Sequence, residues 1–230
     1  MMAFVIPPAA TTSLAVVGSQ DLFPVHNIYC VGRNYADHAI EMGHDPDREP
    51  PFFFMKPAYA CLADQGVMTY PGESQDVQHE VELVVALRTG GQNIPVAAAM
   101  ACVYGYGVGL DMTRRDLQAE AKQLARPWDA GKVFLHAAPC SALRPVSQVG
   151  ELGAAVISLA INGAEKQRGT LDQMIWRVPE IISRLSMLFP LLPGDLIFTG
   201  TPAGVGPVHR GDRLQAAIAG IGELNIQVAG

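Results

Sequence analysis

No two cysteines in this sequence stand at the close spacing of a metal knuckle: Cys30, Cys61, Cys102 and Cys140 are far apart. That argues against a structural zinc site or a disulfide framework and leaves four reduced thiols as the expectation. Lysine and arginine nowhere form a run, and the formal net charge is −6. Nucleic acid and anionic membrane surfaces need clustered positive charge, so neither is an expected partner. No stretch reaches the ~18 uncharged apolar residues of a bilayer-spanning helix. The apolar start, Met1 to Ile6, has no basic residues with it and meets Pro7 and Pro8 at once, unlike a secretory leader. A cytoplasmic protein is expected. There is no internal repeat and no low-complexity linker. Two catalytic signatures are also missing: His79-Glu80 has no second histidine at metalloprotease spacing, and no glycine loop ends in the Lys-Ser/Thr of a nucleotide site.

What is present is a 49% hydrophobic composition with only 17% charged residues. That is too apolar and too weakly charged for disorder, and 230 residues suffice for one large domain or two small ones. Short apolar runs between Gly/Pro turns predict strands at Leu14–Val17, Ile28–Gly32, Phe52–Met55, Val81–Leu87, Tyr104–Leu110, Val156–Ile161, Leu196–Thr199, Arg213–Ala217 and Leu224–Val228. Asn162-Gly163 after one of them predicts a hairpin, because both residues tolerate the positive φ of a type I′ turn. Asp45–Pro51 reads as a loop. Helices are expected over Asp116–Leu124 and Pro179–Phe189, the latter with Ile181, Ile182, Leu185, Leu188 and Phe189 on one face. Without regular strand–helix alternation, the expected class is α+β, mostly β. Residues 1–24 read as a short entry segment and 25–230 as one catalytic domain.

Residues Glu80 and Glu82 are the most informative pair. Positions i and i+2 of a strand share a face, and this strand is otherwise apolar. Buried side by side, two carboxylates need protons or cations, and oxygen-only ligands suit Mg²⁺ or Mn²⁺ over zinc. On a solvated strand face they need nothing. Asp111, ending the run Tyr104–Leu110, is either a third ligand delivered by a strand tip or a helix N-cap. His38 and Glu41 share one face of a helical turn, as a carboxylate-oriented general base or as an ordinary surface pair. Lys132 is a snorkelling strand residue or a cation for a forming enolate. Glycines flank Thr199 and Thr201 in Phe198–Gly206, letting backbone amides approach a small anion.

In order along the chain stand VGRNYADHAIEMG (31–43), PPFFFMKPA (50–58), HEVELVVAL (79–87), GYGVGLDMTRRDLQ (105–118), RPWDAGKVF (126–134) and PGDLIFTGTPAGVGPV (193–208). Together they resemble the fumarylacetoacetate hydrolase family. The resemblance implies a mixed β-roll with few helices, a homodimer, and Glu80, Glu82 and Asp111 as ligands of Mg²⁺ or Mn²⁺. It further implies His38 and Glu41 as the water-activating dyad on a lid segment, and Lys132 as the stabilising lysine. Arg33, Lys56, Gln118 and Thr201 become substrate contacts.

The stretch His44–Phe54 is most similar to members acting on fumarylpyruvate. The implied reaction is cleavage of the C3–C4 bond of an acylpyruvate, giving fumarate and pyruvate in aromatic-acid breakdown. Arg33, Arg114, Arg115 and Arg126 are candidates for a distal carboxylate. One departure is Leu135, followed by His136, where the family usually has Asp. Oxaloacetate decarboxylation, or isomerisation or decarboxylation of a hydroxy-dienedioate, would use the same site. A non-catalytic β-rich binding protein is the reading from another class.

Overall fold

The structure, a computed structural model, describes residues 4–36 and 50–230. His38, Glu41 and most of the loop Asp45–Pro51 lie outside the described residues. An eight-stranded sheet runs in the order Phe52–Pro57, Asn27–Gly32, Leu196–Phe198, Val81–Leu87, Val103–Leu110, Ala138–Cys140, Cys61–Ala63, with Arg144–Pro145 pairing to one side of Val103–Leu110. Leu196–Phe198 lies parallel to Asn27–Gly32 and antiparallel to Val81–Leu87, so the sheet is mixed. A five-stranded sheet of Ala164–Thr170, Val156–Ile161, Arg213–Ile218, Gly222–Val228 and Val67–Met68 packs against it over one continuous core. The α+β, mostly β roll expected from the sequence is what forms. No helix among the described residues is long and apolar enough to cross a membrane.

The strand patterns follow from which faces are covered. All seven residues of Val81–Leu87 are buried, because both faces of this central strand are packed, and its sequence is accordingly an unbroken apolar run apart from Glu82. Val156–Ile161 alternates between partly buried and buried positions, as expected of a strand with one covered face. Asn162 and Gly163 take φ of 51° and 81° at the predicted turn. The helix Val178–Leu188 buries Val178, Ile181, Ile182 and Leu185. Leu188, expected on the same face, is 65% exposed: the chain turns extended at Phe189, so the apolar stripe stops one turn early.

Strand Val103–Leu110 carries glycine at alternate positions, Gly105, Gly107 and Gly109, all on one face. A Cβ on Gly105 would stand 2.3 Å from the Arg144 carbonyl oxygen, and one on Gly109 would stand 2.5 Å from both Phe198 and Val84 side-chain atoms. The glycines therefore mark close approach of neighbouring chain. At Gly105 the obstacle is backbone and cannot rotate away. Gly105→Ala is expected to destabilise the fold by about 1–3 kcal/mol, measurable as a melting temperature lowered by several degrees, roughly.

Candidate metal centre and substrate cavity

Three side chains from two adjacent strand ends converge. Glu80 stands at the break between strands Val77–His79 and Val81–Leu87, Glu82 one residue inside the second, and Asp111 just beyond Val103–Leu110. Pairing of Glu82 with Gly109 and of Val81 with Leu110 sets this register, and the Asp111 amide donates to the Glu80 carbonyl at 2.8 Å. Each residue offers one carboxylate oxygen within 4.8 Å of the others, and all three are buried. Exposures of 5% for Glu80 and 1% for Glu82 overturn the solvated-face alternative. Asp111 is not an N-cap, since the next helix begins at Arg115 with Arg114 before it.

The partners are unevenly shared. Glu80 receives Arg115 at 2.5 Å and Lys132 at 2.9 Å. Asp111 receives Lys132 on Oδ2 at 2.7 Å, with Lys56 Nζ 2.7 Å from Oδ1. Glu82 has, among the described residues, no side-chain cation in direct contact; the Gly200 amide donates to its Oε2 at 2.8 Å. Burial first, then the charges of Asp111 and Glu80, push the Glu82 carboxyl well above its ordinary range, against the Gly200 amide and Lys132. The glycine loop, expected to meet a small anion, meets the protein's own carboxylate through Gly200.

Lys132 ends the short helix Asp129–Lys132 and is 3% exposed, so it does not snorkel from a strand. Its three N–H groups reach Glu80, Asp111 and the Thr113 hydroxyl. Burial opposes its charge, but Asp111 and Glu80 outweigh burial and raise its proton affinity.

The donor set fits a hard divalent cation. It is oxygen-only, and among the described residues it holds one buried carboxylate, Glu82, without a contacting cation.

Beside the triad opens a cavity lined by Glu80, Glu82, Lys132, Arg33, Gln118 and Thr201, with aromatic walls of Phe52, Phe54 and Trp128. Lys56 is the exception among the expected substrate contacts. It is 1% exposed and outside that lining, and it donates to the Met112 and Ala137 carbonyls at 2.9 and 2.8 Å. Leu135, at the departure from the family pattern, is 53% exposed and likewise does not line the cavity among the described residues.

Gln167 carries a role that the sequence does not announce. From the hairpin strand Ala164–Thr170, its Oε1 accepts from His79 Nδ1 at 2.8 Å and the Val81 amide at 3.1 Å. Its amide nitrogen donates to Thr201 Oγ1 and the Pro202 carbonyl. It thus ties both neighbours of Glu80, the His79 side chain and the Val81 amide, to the loop carrying Thr201. Burial lowers the proton affinity of His79, consistent with a neutral ring donating from Nδ1. The only sequence signal is a long polar residue at an inward strand position.

The family model "Fumarylacetoacetate (FAA) hydrolase C-terminal" matches residues 27–229. The crystal structure of fumarylpyruvate hydrolase from Pseudomonas aeruginosa, in complex with Mn²⁺ and pyruvate, superposes with a TM-score of 0.96 at 50% identity, covering 99% of both chains. The mitochondrial oxaloacetate tautomerase of Mus musculus is 42% identical over 202 residues, covering 88% of this chain and 91% of that one. The mitochondrial oxaloacetate decarboxylase of Dictyostelium discoideum is 41% identical over 195 residues, covering 84% and 89%.

Proposed function

The chain belongs to the fumarylacetoacetate hydrolase family, and from that premise we propose that it is a divalent-metal hydrolase cleaving the C3–C4 bond of an acylpyruvate, with fumarylpyruvate as substrate. The observation that carries this reading is the buried triad of Glu80, Glu82 and Asp111 beside Lys132, with both glutamates lining the cavity. The solved fumarylpyruvate hydrolase with Mn²⁺ and pyruvate, at 50% identity, supports it. An Mg²⁺ or Mn²⁺ ion on the triad would supply Lewis-acid polarisation of the 2-oxo end of the substrate.

The chain's own residues do the rest. His38, oriented by Glu41, takes a proton from water as the water oxygen bonds to C4. The C3–C4 bond breaks, and its electron pair moves into an enolate whose oxygen is that of the former 2-oxo group. Protonation at C3 completes pyruvate, and the acyl fragment leaves as a carboxylic acid, fumarate here. Lys132 places a fixed positive charge at the wall where that enolate develops. Gln118 and Thr201 position the substrate or the attacking water from the cavity wall, and Arg33 takes the acyl end.

A second reading, oxaloacetate tautomerisation or decarboxylation, is favoured by the names of the relatives at 42% and 41% identity. Neither reaction needs an attacking water, so the His38 dyad separates it from hydrolysis. Turnover of fumarylpyruvate, acetylpyruvate and oxaloacetate is to be measured on metal-stripped protein with Mn²⁺ or Mg²⁺ restored. Fumarylpyruvate cleavage that needs the metal, and that falls by about 10²–10⁴ in His38→Ala, is the expected result. Turnover of oxaloacetate alone, indifferent to His38→Ala, would replace the hydrolase with the second reading.

A further inference from the structure

Among the described residues, four cations line the cavity, Arg33, Arg115, Lys122 and Lys132, against two carboxylates, Glu80 and Glu82. Two of the four are committed to the triad. Lys132 directs its N–H groups there, and Arg115 bonds Glu80, Gln78 and Gln118. Of the other arginines that could meet a distal anion, Arg114 lies over the Phe134 ring at 4.7 Å and donates to the Ala130 carbonyl. Arg126 is exposed beside Glu120. Neither lines the cavity.

What remains is Lys122, half-buried on the helix Arg115–Gln123, with Arg33 on the same lining. Among the described residues the Lys122 ammonium has no hydrogen-bond or ion-pair partner; it stands 5.1 Å from the centre of the Trp128 ring. Arg33 lies 5.4 Å over Phe52. The two rings under these cations meet edge to face, with centroids 5.2 Å apart. Gly32 permits this: a Cβ there would fall 2.0 Å from a Phe52 ring atom. Arg33 follows at φ 58°, a conformation few side-chain-bearing residues adopt. Lys132 in turn sits 4.9 Å from Phe54, and Phe54 5.9 Å from Trp128. Phe54 and Trp128 thus run in successive contacts from the lysine at the triad to Lys122.

We infer that Lys122, backed by Arg33, receives a second carboxylate at the far end of the substrate, with Trp128, Phe52 and Phe54 packing on a flat apolar middle. The specificity is thus for a long diacid over a neutral-tailed or short one. This rests on the proposed reading of the triad as the metal centre that holds the 2-oxo acid end. Burial first, then the charges of Arg115 and Arg33, lowers the proton affinity of Lys122, against Glu80. An incoming carboxylate relieves that repulsion and accepts a charge-assisted hydrogen bond.

The test needs no turnover. Mn²⁺-loaded protein is titrated calorimetrically with 2-oxoheptanedioate and with 2-oxoheptanoate, which share a chelating end and differ only in the distal carboxylate. Neither has a 4-oxo group, so the titration reports on Lys122 even in a protein that cleaves no acylpyruvate. The native chain should prefer the diacid by about tenfold or more. Lys122→Met, which keeps an apolar stem on Trp128, should lose most of that preference, and Lys122→Arg should keep most of it. A preference that survives in Lys122→Met, or no preference in the native chain, overturns the assignment.

Discussion

Glu82→Gln should abolish metal binding and catalysis together while leaving the metal-free fold intact. The carboxylate is buried, and it makes its direct hydrogen bond through Oε2 to the Gly200 amide. Replacing it with the isosteric amide removes repulsion from Asp111 and Glu80 and breaks no ion pair, so the metal-free variant should melt no lower than the native protein. Mn²⁺ at about a hundred times its Kd should add about 2.7 kcal/mol to the native protein, raising its Tm by roughly 5–10 °C. Glu82→Gln should show almost none of that shift. Metal-dependent turnover should fall by about a thousandfold, since a bound cation supplies several kcal/mol of transition-state charge stabilisation. A variant that retains the thermal shift would show that the ion, if any, sits elsewhere. That result would sink the metal-centre assignment without reference to any substrate.

Lys56→Met should have the opposite signature. The Lys56 ammonium is wholly buried, donates to the Met112 and Ala137 carbonyls, and lies against Asp111. Removing Lys56 takes one of the two cations from the buried Asp111, which keeps Lys132, and takes one donor each from the Met112 and Ala137 carbonyls, a combined loss of about 3–5 kcal/mol. The expected result is a Tm lowered by on the order of 10 °C in the absence of metal. Were Lys56 a substrate contact, as its place in the family pattern implies, the change would appear in KM with the melting temperature unmoved. Thermal denaturation of the metal-free variant tells the two outcomes apart. Asp111 is the shared element: Lys56 holds one of its oxygens and Lys132 the other, which fixes the carboxylate that the metal reading requires.

Most of the roll was legible in the residues themselves. Uninterrupted apolar runs mark the strands covered on both faces, alternating runs mark those covered on one, and Asn162-Gly163 marks the hairpin. Such signals depend on a few neighbouring positions, so a short window contains them. Glu80, Glu82 and Asp111 were readable as a candidate triad for the same reason: carboxylates at the tips of apolar strands are locally conspicuous. His38 and Glu41 rest on sequence alone.

Tertiary structure decided which of these residues are buried and which of them meet. Burial turned the Glu80–Glu82 pair from a solvated face into a cluster, because both faces of this strand are packed. It seats Lys56 against Asp111 and brings Gln167 across 88 residues to His79. These contacts join segments distant in the chain, and a polar residue's partners depend on what the whole fold brings beside it. Local periodicity therefore specified the strands and where their carboxylates fall, while the pairing of charges, which assigns each residue its work, had to wait for the sheet to close.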